Sequence, residues 1–446
     1  MGYRTLLRDH RGLLGIAFLA MFSSSLGQSF FIGLFQAPIS AQLGLSAGQF
    51  GTAYAAVTLV AGFAVLRLGP AIDWVAPRRF ALIVLSALAV GVLLLTLSPW
   101  WGLGLLGLGL VRLCGQGMLT HLGNTLAGRE FSAMRGRALG LVGMGMMLGE
   151  TALPPLMAAL LVWLGWRELW WLFGGVLLAL WALALLRGPW PKAPGQRPSR
   201  GQRRDGPRPF RERRFWALLP LLMVLPITMT GLFIYQARLT EDLGSSLGVY
   251  ALALTGMGLA KLPGALMGGR WVDRLGPVRL ARLYLLPYAL ALIVALTLGG
   301  HLGVWALMVG GGLAIGSQES IATSLLVRIW GAEHLGTVRA TLSAAMVFST
   351  GLAPAVLGLA LDLGAPFQGV LAGMLAFLVA GWWLAQGVLA GVGSEPPDTP
   401  SPARRPATSQ GRNRPPQRNS STGLVALRSI AVVVLPTSRW RMREWP

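Results

Sequence analysis

The sequence predicts an all-α polytopic membrane protein, with twelve transmembrane helices arranged as two parallel six-helix repeats. Three observations carry this. Hydrophobic residues make up 54% of the chain and charged residues only 12%, too few polar groups to cover a soluble surface. Apolar runs of about 20 residues, the length that crosses a hydrocarbon core, recur twelve times. A shift of 200 residues aligns the two halves without gaps. The 60 glycines agree, because small residues let membrane helices approach closely.

The first run, 13–38, follows Arg4, Arg8 and Arg11. It lacks a small-residue cleavage site and reads as a retained helix rather than a leader. Five more spans follow at 50–70, 80–99, 103–126, 138–163 and 168–187. The second set runs 215–237, 249–268, 278–298, 303–327, 338–361 and 366–391. Residues 1–188 and 215–392 therefore form the two halves. Residues 189–214, rich in Pro, Gly and Arg, form a cytoplasmic linker. Residues 393–446 have the Pro-, Ser- and Arg-rich composition of a disordered cytoplasmic tail. Within it Leu424–Pro436 is apolar but too short to span, which leaves a weak interfacial contact or an extension without function.

Net charge is +22, but its placement argues against nucleic-acid binding. Of 38 Lys and Arg, 33 fall in alternate loops, the adjoining span ends and the termini, two on the other side, and three, Arg67, Arg112 and Lys261, within spans away from that set. The positive-inside rule then places both termini in the cytoplasm and the protein in the cytoplasmic (inner) membrane. Cys114, the one cysteine, reads as packing.

The repeat is strongest where composition alone explains it least. Gly69, Asp73, Pro77 and Arg79 meet Gly269, Asp273, Pro277 and Arg279. Gln36, Gly44, Ser46 and Gly48 meet Gln236, Gly244, Ser246 and Gly248. Both copies follow an even number of spans, so the repeat is parallel, which suits two halves rocking about a midplane site.

The duplicated loops read Gly69-Pro-Ala-Ile-Asp73-Trp-Val-Ala-Pro-Arg78-Arg79 and Gly268-Gly269-Arg270-Trp-Val-Asp273-Arg274-Leu-Gly276-Pro-Val-Arg279. Their aspartates can accept charge-assisted hydrogen bonds from nearby arginines. These loops resemble the signature loop of the major facilitator superfamily, found after its second and eighth helices. The second copy is the closer match; the first has Trp74 in place of a basic residue and Ala76 in place of Gly. The segment Arg112-Leu-Cys-Gly-Gln116-Gly117 resembles the family's fourth-helix motif with one extra residue. Gly165-Trp166-Arg167 is also similar, and Arg135-Gly-Arg137 is similar to bacterial monocarboxylate-type members. The resemblance spans about residues 13–391. It implies a latch role on the cytoplasmic side for Gly69, Asp73, Arg79, Gly269, Asp273, Arg274 and Arg279.

Ionisable groups at membrane depth mark functional candidates. Arg112 and Glu150 lie near the middle of spans 4 and 5, where a structural ion pair between them competes with substrate or proton handling. Lys261 on span 8 faces Ala61 in the repeat, an unduplicated charge suited to an anionic substrate or to snorkelling. Glu319 on span 10 can pair with Lys261 or carry a proton. Span 1 presents Ser25, Gln28, Ser29 and Ile32 as a largely polar stripe that faces a central cavity or bonds between helices; on span 7, Thr228, the repeat partner of Gln28, and Tyr235 are weaker candidates. Arg67 reads as an interfacial anchor and His121 as packing.

An enzyme reading fails. Four scattered histidines lack metal-ligand spacing. Gly102, Gly104 and Gly107 satisfy a dinucleotide pattern without a preceding strand, and no P-loop occurs. We expect no cofactor. The expected partners are a small-molecule substrate, protons and the lipid bilayer, with a monomer favoured. Two transport readings remain open: proton-linked movement of a small organic anion, and efflux of hydrophobic or cationic compounds. The buried cations, and the absence of the Gly-Pro pair that marks drug antiporters, tilt the reading to the anion.

Overall fold

The computed structural model describes residues 7–131, 135–191, 209–331 and 334–393. Most of the linker and the whole tail, including Leu424–Pro436, lie outside the described residues. Among those described, eleven helices are long and apolar enough to cross a membrane. The twelfth crossing, α1, is built in pieces.

The halves match helix for helix. The first contains α1 (Arg11–Ser23, Ser29–Leu34 and Gln36–Leu43), α2 (Ala47–Leu68), α3 (Pro77–Leu97), α4 (Trp101–Glu130), α5 (Arg135–Leu160) and α6 (Trp166–Arg187). The second contains α7 (Arg213–Ile234 and Gln236–Asp242), α8 (Leu247–Leu275), α9 (Pro277–Thr297), α10 (Gly300–Trp330), α11 (Leu335–Asp362) and α12 (Phe367–Gly393). The 200-residue shift persists in local geometry. Gly44 and Gly244 close their helices at φ 65° and 67°, and a left-handed residue there is what glycine adopts at least cost. Ser46 and Ser246 then cap the next helices, accepting from the amides of Gln49 and Val249.

Two expectations change. Span 1 is not one helix: a 3-10 turn at Ser24–Gly27 leads into extended backbone at Gln28, φ −82° and ψ 151°. Gln28, Ser29 and Ile32 therefore do not form a continuous helical stripe with Ser25. The duplicated loops also differ. The first runs as a 3-10 turn, Gly69–Asp73, with Ala76 at φ −55°. In the second, α8 continues through Asp273 and Arg274 and stops at Gly276, φ 78°. Ala76 would be strained in that left-handed conformation, so the departure noted in the sequence has a backbone consequence.

Two main seams join the halves, α2 against α11 and α5 against α8, with a smaller contact between α1 and α7. Glycines permit the close approach in the first: a Cβ at Gly51 would overlap the Pro354 carbonyl.

Candidate functional site at the seams between the halves

The site follows from which charges the folded helices can neutralise. Arg112 is 3% exposed, and its guanidinium does not meet Glu150. Nη1 donates to the Gly27 carbonyl at 2.7 Å and Nε to Thr58 Oγ1 at 3.2 Å. The guanidinium carbon lies 4.7 Å from the Tyr54 ring centroid, and Ser29 Oγ is 2.9 Å from Tyr54 Oη. Gly27 ends the first piece of α1, where the helix dipole is negative, so the broken helix itself supplies the counter-charge expected from Glu150. This corrects the expected pairing. Arg112 begins a π-helical segment of α4, Arg112–Leu119.

Glu150 on α5 instead accepts from Lys261 Nζ on α8. Their side chains are only 12% and 20% exposed, so neither snorkels to bulk water. Thr255 Oγ1 of α8 also donates to the Thr151 carbonyl at 2.7 Å. The ion pair thus joins the two halves at membrane depth. Lys261 is not the partner of Glu319, which pairs with Arg339 of α11. Arg339 also donates to Thr323 Oγ1 at 3.1 Å. Thr228 donates to the Val224 carbonyl at 2.7 Å and lines a separate apolar cavity of about 530 Å³ between α7, α11 and α12.

The other seam is fastened at the end opposite the duplicated loops. Asp362, closing α11, accepts from Ser46 Oγ at 2.6 Å and from the Gly48 amide at 3.0 Å. A carboxylate of one half therefore caps the N-terminus of a helix in the other. Tyr235 Oη sits 2.9 Å from the Ala47 carbonyl and 2.7 Å from that of Pro354. Gln236 Nε2 reaches the Phe30 carbonyl at 3.3 Å.

At the loop end, the first turn is held from within its own half. Arg129 of α4 donates to Asp73 Oδ1 at 3.3 Å and to the Ile72 carbonyl at 3.2 Å. His121 Nε2 lies 3.1 Å from the Gly69 carbonyl, holding the turn where packing alone was expected. Arg79, Asp273, Arg274 and Arg279 are exposed and form no ion pair among the described residues. Gly69 is buried beneath the first turn, whereas Gly269 sits half-buried inside α8.

The profile of the Major Facilitator Superfamily matches residues 17–239 and again 217–440, two copies offset by the same 200 residues at their starts. The chain belongs to the Major Facilitator Superfamily. Among solved structures it is similar to a bacterial homologue of the human lysosomal transporter Spinster. The inward-facing, occupied form has a TM-score of 0.62 and 16% identity, covering 87% of this chain and 97% of that one. The inward-facing, unoccupied form has a TM-score of 0.57 and 14% identity, covering 88% and 95%. No curated protein matches by sequence. Family and fold make this chain a multi-pass secondary transporter working by alternating access, and not an enzyme.

Several residues of the site were not singled out from sequence. Asp362 and Ser46 carried a partial signal: Ser46-Ala-Gly-Gln49 is a capping box, and Asp362 is a lone acid at a span end. Tyr54, Thr58, Arg129 and Arg339 carried none that separates them from ordinary helix residues, whereas Tyr235 was a candidate on span 7.

Proposed function

We propose that this transporter moves a small organic anion together with a proton across the inner membrane, both termini being cytoplasmic, with Glu150 and Lys261 as the coupling pair. The observation that carries the reading is the Glu150–Lys261 contact, an ion pair at membrane depth that bridges the halves. An unpaired charge at mid-membrane costs about 3 kcal/mol on insertion scales, roughly 100-fold in occupancy. An anion can therefore take Lys261 only if Glu150 gives it up, and Glu150 gives it up at least cost by accepting a proton. Proton and anion enter together and the site stays neutral. Empty, it is neutral too, because the pair re-forms. Both electroneutral states can cross the hydrocarbon core as the halves rock, while a half-loaded site is held back.

Arg112 does not supply the anion's counter-charge in this scheme, since Gly27, Thr58 and Tyr54 already hold it. The efflux reading retains one observation: the Glu319 side chain is 72% exposed, and a carboxylate that exposed at membrane depth faces water rather than lipid. A cationic substrate would compete with Arg339 for it. The seam contacts support a state closed at the end of Asp362 and open toward the duplicated loops.

Reconstituted vesicles test the scheme. Wild type should accumulate labelled carboxylates when a proton gradient is imposed. Glu150→Gln should keep carboxylate exchange but lose gradient-driven accumulation, and Lys261→Ala should lose both. Unchanged accumulation in Glu150→Gln would overturn the coupling assignment. Transport of lipophilic cations, lost in Glu319→Gln, would favour efflux.

A further inference from the structure

Pro154 and Pro155 lie in the interior of α5. Proline has no N–H, so Pro155 leaves the Thr151 carbonyl, four residues earlier, without its helical donor. At membrane depth a freed carbonyl needs another donor, because hydrocarbon offers none. That donor comes from the other half: Thr255 Oγ1 of α8 donates to the Thr151 carbonyl at 2.7 Å. A helical threonine can instead bond back to the carbonyl four residues earlier, as Thr96, Thr151, Thr228 and Thr240 do. Thr255 donates across the seam.

Three residues of α8 meet this stretch of α5 in turn. Thr255 bonds the Thr151 carbonyl, Gly258 lies against the Thr151 hydroxyl, where a Cβ would overlap Oγ1, and Lys261 bonds Glu150. Spaced by three, they form one ridge of the helix. Gly258 lets the two helices close enough for the Thr255 bond. The ion pair cannot fix this register itself. A lysine ammonium rides on a flexible four-carbon stem and tolerates a shift of one residue, about 1.5 Å. A hydroxyl carried on Cβ does not. The threonine contact is also uncharged, so protonating Glu150 or seating an anion on Lys261 leaves it in place.

We propose that Thr255 is a positioning residue for proton coupling. By capturing the carbonyl that Pro155 frees, it holds α8 in register on α5, so that Lys261 meets Glu150 each time the anion leaves. This rests on Glu150 and Lys261 being the coupling pair. Out of register, an anion reaches Lys261 without displacing Glu150. Exchange then continues, but the proton gradient no longer drives it.

The test uses the full chain in vesicles with labelled acetate, lactate and benzoate, reading gradient-driven accumulation against exchange without a gradient. Thr255→Val keeps the shape and loses the donor. Accumulation should fall roughly fivefold relative to exchange, as one lost neutral hydrogen bond implies, and Thr255→Ser should restore it. Pro155→Ala returns a donor to α5 itself and so competes with Thr255 for the Thr151 carbonyl. It should lower the same ratio without lowering the melting temperature, because proline is the costlier residue in a helix interior. The double substitution should be no worse than the stronger single change, since both act on one carbonyl. A merely structural contact would move stability and leave the ratio fixed. If Thr255→Val and Pro155→Ala keep the wild-type ratio while Glu150→Gln abolishes accumulation, the positioning role is overturned and the coupling pair stands. If Glu150→Gln also accumulates as wild type does, or wild type accumulates none of the three acids, the coupling reading fails and the positioning role with it.

Discussion

Replacing Asp362 with alanine should open the end of the molecule that it now fastens. Asp362 accepts two charge-assisted hydrogen bonds across the α2–α11 seam, from Ser46 Oγ at 2.6 Å and the Gly48 amide at 3.0 Å. Hydrogen bonds to charged groups contribute roughly 1.5–3 kcal/mol when buried. The Ser46 contact is exposed and the Gly48 contact only part-buried, so about 1 kcal/mol each is the fairer figure. A total of about 2 kcal/mol is roughly a 30-fold change in the ratio of states closed and open at that end. The assay is pulsed electron spin resonance between spin labels at Leu45 and Leu363, which flank the clamp on opposite halves. Wild type should show mainly the short distance. Asp362→Ala should gain a long-distance population, and Ser46→Ala, losing one bond, should fall between them. If Asp362→Ala folds with unchanged helicity and keeps the wild-type distances, the clamp does not bias the conformational equilibrium and the reasoning fails.

Arg112→Leu should lower the apparent melting temperature, by an amount equivalent to about 2 kcal/mol. It strands the Gly27 carbonyl and loses the Tyr54 contact, offset in part by no longer burying a charge. Arg112→Lys should not restore stability, because an ammonium cannot span Gly27, Thr58 and the ring face together; recovery with lysine would show that charge alone matters. Gly276→Ala should destabilise by about 1–3 kcal/mol, since φ 78° and ψ 155° is a region essentially restricted to glycine. Ala76→Gly, at φ −55°, should change stability by no more than about 1 kcal/mol. Equal effects at the two positions, read by thermal unfolding, would mean that the duplicated turns are not built differently.

The number of spans and the repeat were legible because each rests on redundant signal. Twelve apolar runs survive local error in any one of them, and the 200-residue shift is fixed by Gly, Asp, Pro and Arg together. The interruption in α1 was not legible, because Ser24–Gly27 carries no proline and reads as one polar stripe along a continuous helix. It is caused from outside, by the Arg112 guanidinium on the Gly27 carbonyl and by the close approach of Gly115. Charge pairing failed for a related reason. Proximity in sequence suggested Arg112 with Glu150, but two adjacent spans in one half need not place mid-span residues face to face. The partners lay 111 residues apart for Glu150 and 20 apart for Glu319. Membrane depth can be read from span position, whereas helix rotation depends on packing that the sequence does not display.

The two seams are equivalent by fold and unequal by chemistry. The repeat relates α2 against α11 to α8 against α5, yet the residues matching Ser46 and Asp362 are Ser246 and Val162. Those matching Lys261 and Glu150 are Ala61 and Thr350. One seam is fastened at its far end by a solvent-exposed cap, the other at membrane depth by a nearly buried ion pair. Only the second lies where a change in charge is costly. In the proposed scheme a proton or a bound anion acts through the α5–α8 seam, while the α2–α11 clamp holds one end shut. Had both seams carried ion pairs, the halves could part only after two neutralisations. Had neither, nothing would tie their motion to occupancy. On that proposal, divergence after duplication leaves one seam to sense the ligand and the other to set the resting state.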